Sequence, residues 1–192
     1  MTQLQRKTKE TAIELSLEVN GTGKADIQTG IGFFDHMLEA LAKHSLCDLT
    51  LRCEGDLHVD FHHTVEDIGI VIGQALAQEI FPVEGVERFA NASVILDEAS
   101  VTVEMDLSGR PYLLFELGEL DGKVGEFDAE LAEEFFRALA TNARLSCHMV
   151  LNRGKNRHHI LEAAFKAFAV ALRRALVPNV RVSGAPSTKG VL

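Results

Sequence analysis

Two short stretches carry the residue types of a metal site at helical spacing. Residues 62–66 read His62-His63-Thr64-Val65-Glu66, and residues 158–162 read His158-His159-Ile160-Leu161-Glu162. Each opens an apolar-periodic stretch, so each is expected at a helix start. Residues three and four apart share a helix face. Glu66 therefore lies beside His62 and His63, and Glu162 beside His158 and His159. Neighbouring histidines on a helix diverge by about 100°, too far to grip one ion together. One helix start can thus feed two ions, and closing each site requires ligands from the other repeat or from another subunit.

The histidine supply supports two sites. His36, His62, His63, His148, His158 and His159 together with Glu66 and Glu162 make eight ligands. They divide into two sets of three imidazoles and one carboxylate, a donor set suited to Mn²⁺, Fe²⁺ or Zn²⁺. A lone histidine at a helix start is more often a cap or a surface group, and His44 and His58 read that way. Two matched pentads do not, although a structural metal would use them equally well.

A second group of residues suits an anion. Arg110 sits in the turn Ser108-Gly109-Arg110-Pro111, Arg88 precedes Phe89, and Ser187-Thr188-Lys189-Gly190 offers hydroxyls and an ammonium. Together they can cradle a phosphate. The Ser-Thr-Lys-Gly run lacks the upstream glycine and strand-to-helix context of a P-loop.

Composition limits the class. The chain has 192 residues, 46% of them hydrophobic, which excludes disorder. Its formal charge of −9 argues against a nucleic-acid partner and confines phosphate binding to a local basic pocket. It has no apolar run long enough to span a membrane and no signal-peptide pattern at its N-terminus. Cys47, Cys53 and Cys147 form no CxxC pair, which fits reduced thiols in a cytoplasmic protein.

The elements that must position these groups repeat. Residues 10–18 and 98–106 alternate polar and apolar and reach Asn20-Gly21 and Ser108-Gly109, so each reads as a strand entering a hairpin turn. Helices are expected over 32–43 and 128–142, strands over 47–53 and 145–151, and each pentad then opens a long helix. The order is strand-strand-helix-strand-helix, written twice, over about 1–92 and 93–180, with a tail at 181–192. This is an α+β duplicated half-domain with sheets backed by helices.

Five motifs together resemble the imidazoleglycerol-phosphate dehydratase family over nearly the whole chain. They are residues 32–38 (Gly-Phe-Phe-Asp-His-Met-Leu), 59–67 around the first pentad, 106–112 (Asp-Leu-Ser-Gly-Arg-Pro-Tyr), 154–166 around the second pentad, and 186–190 (Pro-Ser-Thr-Lys-Gly). The resemblance implies a fold of the ribosomal protein S5 domain 2-like type. It implies a monofunctional hydro-lyase of histidine biosynthesis that converts imidazole glycerol phosphate to imidazole acetol phosphate, with two Mn²⁺ per site stabilising an imidazolate. It also implies a 24-subunit shell of trimers, with active sites between subunits. One ion would take His62, His148, His158 and Glu162, and the other His36, His63, Glu66 and His159. Arg88, Arg110, Ser187 and Lys189 would hold the phosphate. Glu10 would be a substrate-side acid or base, and Glu66, Glu162, His63 and His159 would act at the reacting centre. Two other readings use the same residues: a metal-dependent phosphohydrolase, which would release inorganic phosphate, and a metal-storing shell, which would not need the phosphate grip.

Overall fold

The computed structural model describes residues 1–190. Ten strands and four helices follow the order β1 (Thr2–Lys7), β2 (Thr11–Glu18), β3 (Ala25–Gln28), α1 (Gly32–Ser45), β4 (Asp48–Gly55), α2 (His62–Ile80), β5 (Phe89–Leu96), β6 (Ala99–Asp106), β7 (Tyr112–Glu116), β8 (Lys123–Val124), β9 (Phe127–Asp128), α3 (Leu131–Ala143), β10 (Ser146–Arg153) and α4 (Arg157–Ala175). Two four-stranded sheets have matching orders, β1-β2-β4-β3 and β5-β6-β10-β7. In each, the first three strands are antiparallel and the last is parallel to its neighbour. The α+β duplicated half-domain is therefore present, with β8 and β9 as an extra hairpin in the second half.

The expected hairpins are corrected. Asn20-Gly21 does not join two paired strands, because β4 lies between β2 and β3. Ser108-Gly109 does not either, because β10 lies between β6 and β7. The true hairpins are β1–β2 and β5–β6, so each half runs strand-strand-strand-helix-strand-helix. An alternating strand reveals which face it buries, not which strand it pairs with. The edge strand β1 is only half-buried, so its residues read as a polar N-terminus.

Every helix packs on a sheet of its own half and on a helix of the other half: α1 against α4, and α2 against α3. The helices thus lie between the two sheets, and the apolar faces of all elements meet in one core. Phe34, Phe135, Phe136, Phe165 and Phe168 are fully buried there, with Phe136 and Phe165 ring centroids 4.7 Å apart. The helices α2 and α3 approach closely because Gly69 and Gly73 carry no side chain. A Cβ on Gly73 would stand 2.6 Å from the Leu139 carbonyl oxygen. The two helices run in the same direction, since Gly69 meets Phe135 and Gly73 meets Leu139. Among the described residues, no helix is long and apolar enough to cross a membrane.

Candidate active site

Both pentads lie at helix starts, at the first turns of α2 and α4. The α4 start is capped by Asn156, whose side chain accepts the His158 and His159 backbone amides. Asp60 accepts the His62 amide at 2.8 Å. These caps orient each pentad and satisfy free backbone donors.

The second pentad gathers a compact donor set. His158 Nε2 lies 3.0 Å and His36 Nε2 3.4 Å from Glu162 Oε2. The three ligand atoms all lie within 4.8 Å of one another. Metal bonds of about 2.0–2.2 Å let donors at such spacings meet on one divalent ion. Glu162 is buried, and its other oxygen lies 2.5 Å from Lys166 Nζ. Burial alone would raise its pKa, but Lys166 and His158 outweigh it and hold the carboxyl at about 2. A charged carboxylate with one oxygen toward two imidazoles is a donor set that fits a metal.

Within this chain the donors group differently in two places from the division that the resemblance implies. His36 joins His158 and Glu162, not His63, Glu66 and His159. His148 is not brought to this cluster. It alternates along β10 with buried Cys147 and Met149, so it points to the sheet face away from α4. There it lies 3.9 Å from Glu104 and near the Tyr112 ring. A period of two reverses the facing of neighbouring strand residues.

The first pentad is more open. His62 Nε2 lies 3.8 Å from Glu66 Oε2, and both side chains are exposed. Among the described residues, the polar partners of the two pentads share no residue.

The second histidine of each pentad is held by a carboxylate that sequence reasoning had not placed there. His63 Nδ1 lies 3.0 Å from Asp56, and its Nε2 is 3.8 Å from Glu10. His159 Nδ1 lies 2.7 Å from Glu98, and its Nε2 is 3.7 Å from Asp97. An ionised carboxylate only accepts, so Nδ1 carries the proton and Nε2 is left free to ligate. The Asp56 hydrogen bond raises the His63 pKa, and the Glu98 hydrogen bond raises that of His159. Glu10 and Glu98 occupy the turns of the β1–β2 and β5–β6 hairpins, so each hairpin delivers a glutamate to its pentad. The matching position of Glu98 in the repeat was the available signal. Asp56, just beyond β4, had none.

The repeat also pairs His36 with a residue of different type. Helix α1 ends on Leu46 and α3 on Arg144, both left-handed, with φ of 62° and 56°. Strands β4 and β10 each begin two residues later. His36 and Glu134 both stand ten residues before these caps. Glu134 is half-buried on α3, level with Glu66 on the parallel α2. Eight residues further along both helices, Gln74 and Asn142 touch. A glutamate standing where the other half has a histidine hid this correspondence in the sequence.

The residues expected to hold an anion also come together. Arg88, Arg110, Ser187 and Lys189 line one surface cavity of about 760 Å³ with Ser108 and Arg144. Ser108 and Ser146 hydroxyls both donate to the Arg110 carbonyl and fix its turn. Arg88 is largely committed elsewhere. It is buried, its Nε and Nη2 donate to Asp106 at 2.7 and 3.2 Å, and its Nη1 donates to the Pro186 carbonyl. Its contribution is therefore to fasten the tail that carries Ser187 and Lys189 over the cavity.

Comparison with known proteins follows the same lines. The model of the family described as imidazoleglycerol-phosphate dehydratase matches residues 29–172. Imidazoleglycerol-phosphate dehydratases of Nautilia profundicola and Aliarcobacter butzleri are 58% and 62% identical to the chain, each over the full length of both proteins. The crystal structure of the Staphylococcus aureus enzyme superposes with a TM-score of 0.82 at 42% identity, covering 93% of this chain and all of that one. That of the Pyrococcus furiosus protein gives 0.83 at 38% identity, covering 98% of this chain and all of its own.

Proposed function

The chain belongs to the imidazoleglycerol-phosphate dehydratase family and is a dehydratase of histidine biosynthesis, and we propose that it works with two divalent cations, Mn²⁺ foremost, held by its two pentads. His36, His158 and Glu162 hold one ion. His62 and Glu66, with Glu134 beside them on α3, begin the second set. His63 and His159 diverge from their helix neighbours, so each completes the set that its neighbour does not join: His63 the ion of a His36–His158–Glu162 set, and His159 the ion of a His62–Glu66 set, across a subunit boundary. When bound, such ions act as Lewis acids that lower the pKa of a coordinated ring N–H. The observation that carries this reading is the compact His36–His158–Glu162 donor set in a chain of this family.

The reaction removes one water from imidazole glycerol phosphate and yields imidazole acetol phosphate. Arg110, Lys189 and Ser187 bind the phosphate, and Arg88 holds the tail in place. Glu10, 3.8 Å from His63 Nε2, takes the proton from the carbon next to the one that loses its hydroxyl and passes it to the departing oxygen, so that water leaves and the remaining enol ketonises. Asp56 and Glu98 keep His63 and His159 in the tautomer that ligates through Nε2.

Among the described residues, the first pentad gathers no third ligand as compactly as the second gathers His36. This supports sites closed between subunits, and the assembly we propose is a 24-subunit shell of trimers in the cytoplasm. Metal analysis of the purified protein, with turnover assayed after chelation and after Mn²⁺ return, tests the proposal. About two ions per chain and activity lost and regained with Mn²⁺ are expected, and the assembly should loosen on chelation. Full turnover of metal-free protein, or release of inorganic phosphate from the substrate, would overturn it.

A further inference from the structure

We propose that Arg144 is a phosphate-binding residue of this chain, a cation that completes the cavity formed by Arg110, Ser187 and Lys189. The inference rests on the phosphate reading of that cavity given above. Four basic side chains and no carboxylate line it, in a protein of formal charge −9. One of the four, Arg88, is consumed by Asp106 and Pro186. The Arg144 side chain has no hydrogen bond or ion pair among the described residues. Its guanidinium carbon lies 4.7 Å from the centre of the Phe81 ring. Stacking on that face restrains the group while leaving its in-plane N–H donors free, the arrangement a bidentate phosphate contact requires.

The backbone ties Arg144 to Arg110. Leu145 accepts the Tyr112 amide at 3.1 Å, and the Ser146 hydroxyl donates to the Arg110 carbonyl at 3.0 Å. The two arginines thus leave one junction, where α3 enters β10 beside the Arg110 turn. The left-handed cap itself belongs to the fold, because Leu46 adopts it at the matching point of the first half. What differs is the side chain. Leucine suffices where no anion pocket lies nearby, and a guanidinium is present where one does.

The test compares Arg144→Gly, Arg144→Lys, Arg144→Met and Arg110→Ala in the metal-loaded enzyme. It measures kcat, KM, competitive inhibition by inorganic phosphate, and melting temperature. Glycine accepts a φ of 56° without strain, so Arg144→Gly should melt no lower than the parent. It should raise KM and the phosphate inhibition constant about tenfold, the size of one charge-assisted hydrogen bond, with kcat nearly unchanged. Arg144→Lys should fall between. Should the glycine variant melt lower, Arg144→Met against Arg144→Lys gives the same comparison with the side chain's length retained. Unchanged KM and phosphate inhibition in the Arg144 variants, with both weakened in Arg110→Ala, would overturn the inference and leave the pocket intact. Unchanged values in all four would overturn the pocket reading itself.

Discussion

Glu98→Gln isolates the support of one proposed metal ligand, His159. In the native chain Glu98 Oε1 accepts the Lys155 and Asn156 amides at 3.2 and 2.8 Å, and Oε2 accepts His159 Nδ1 at 2.7 Å. These donors hold its pKa at about 2, with the His159 hydrogen bond the largest cause. Glutamine has the same shape and one remaining carbonyl, which satisfies the two backbone amides, so the start of α4 keeps its fold. Its NH₂ group, however, then faces Nδ1. Two donors cannot bond each other, so Nδ1 becomes the acceptor and the proton moves to Nε2, the nitrogen needed for metal. Loss of such outer support weakens metal binding by about 10–100-fold. Calorimetric titration of metal-stripped protein with Mn²⁺ should show one of two binding events weakened by that factor, with the melting temperature of the metal-free protein nearly unchanged. Glu98→Ala should weaken the same event and also lower that melting temperature, since two backbone amides lose their acceptor. A glutamine variant that binds both ions at parental affinity would refute the assignment.

Other expectations rest on separate features. Asp56→Asn should weaken metal binding through His63 by the same tautomer argument, and titration calorimetry checks it. Glu134→Gln should lower the bound-metal count measured by mass spectrometry, whereas His148→Asn should leave it at the parental value, because His148 faces away from α4. Gly73→Ala should destabilise by about 1–2 kcal/mol in urea unfolding. Its Cβ would press on Leu139, Asn142 and Ala143 at 2.6–2.9 Å, two of these contacts being backbone, and that overpacking exceeds the gain in helix propensity of about 1 kcal/mol. Burial pushes the Cys47 and Cys53 thiols up to about 11 and Cys147 to about 12. A folded-state pKa raised above the unfolded value of 9.0 favours the native state fully below that value. This contribution is lost as pH rises through the folded values, so the melting temperature should fall between pH 9 and 11. A thiol reagent at pH 8 should label the three cysteines only after denaturation.

Much of the architecture follows from local pattern. The pentads and their apolar-periodic continuations specify α2 and α4, because a period of 3.6 can bury only one helix face. The repeated alternation marks β2 and β6 for the same reason at a period of two. The likeness of the two pentads identifies the duplication and supplies the donor types of the proposed metal chemistry without reference to any contact. Strand pairing escaped this reading, since β3 and β7 find their neighbours through crossovers that alternation does not encode. The ligand sets escaped it as well. Only packing of α1 against α4 brings His36 to Glu162, and only the pleat of β10 turns His148 away. Asp56 reaches its imidazole from a strand end whose sequence gives no sign of this role, and Glu98 reaches its own from a hairpin turn, signalled only by its match to Glu10 in the repeat. Residue type and spacing decided which chemistry this protein can perform. Which donors meet was decided by the packing of elements distant in sequence, because a site a few ångströms across is filled by whatever the fold brings there.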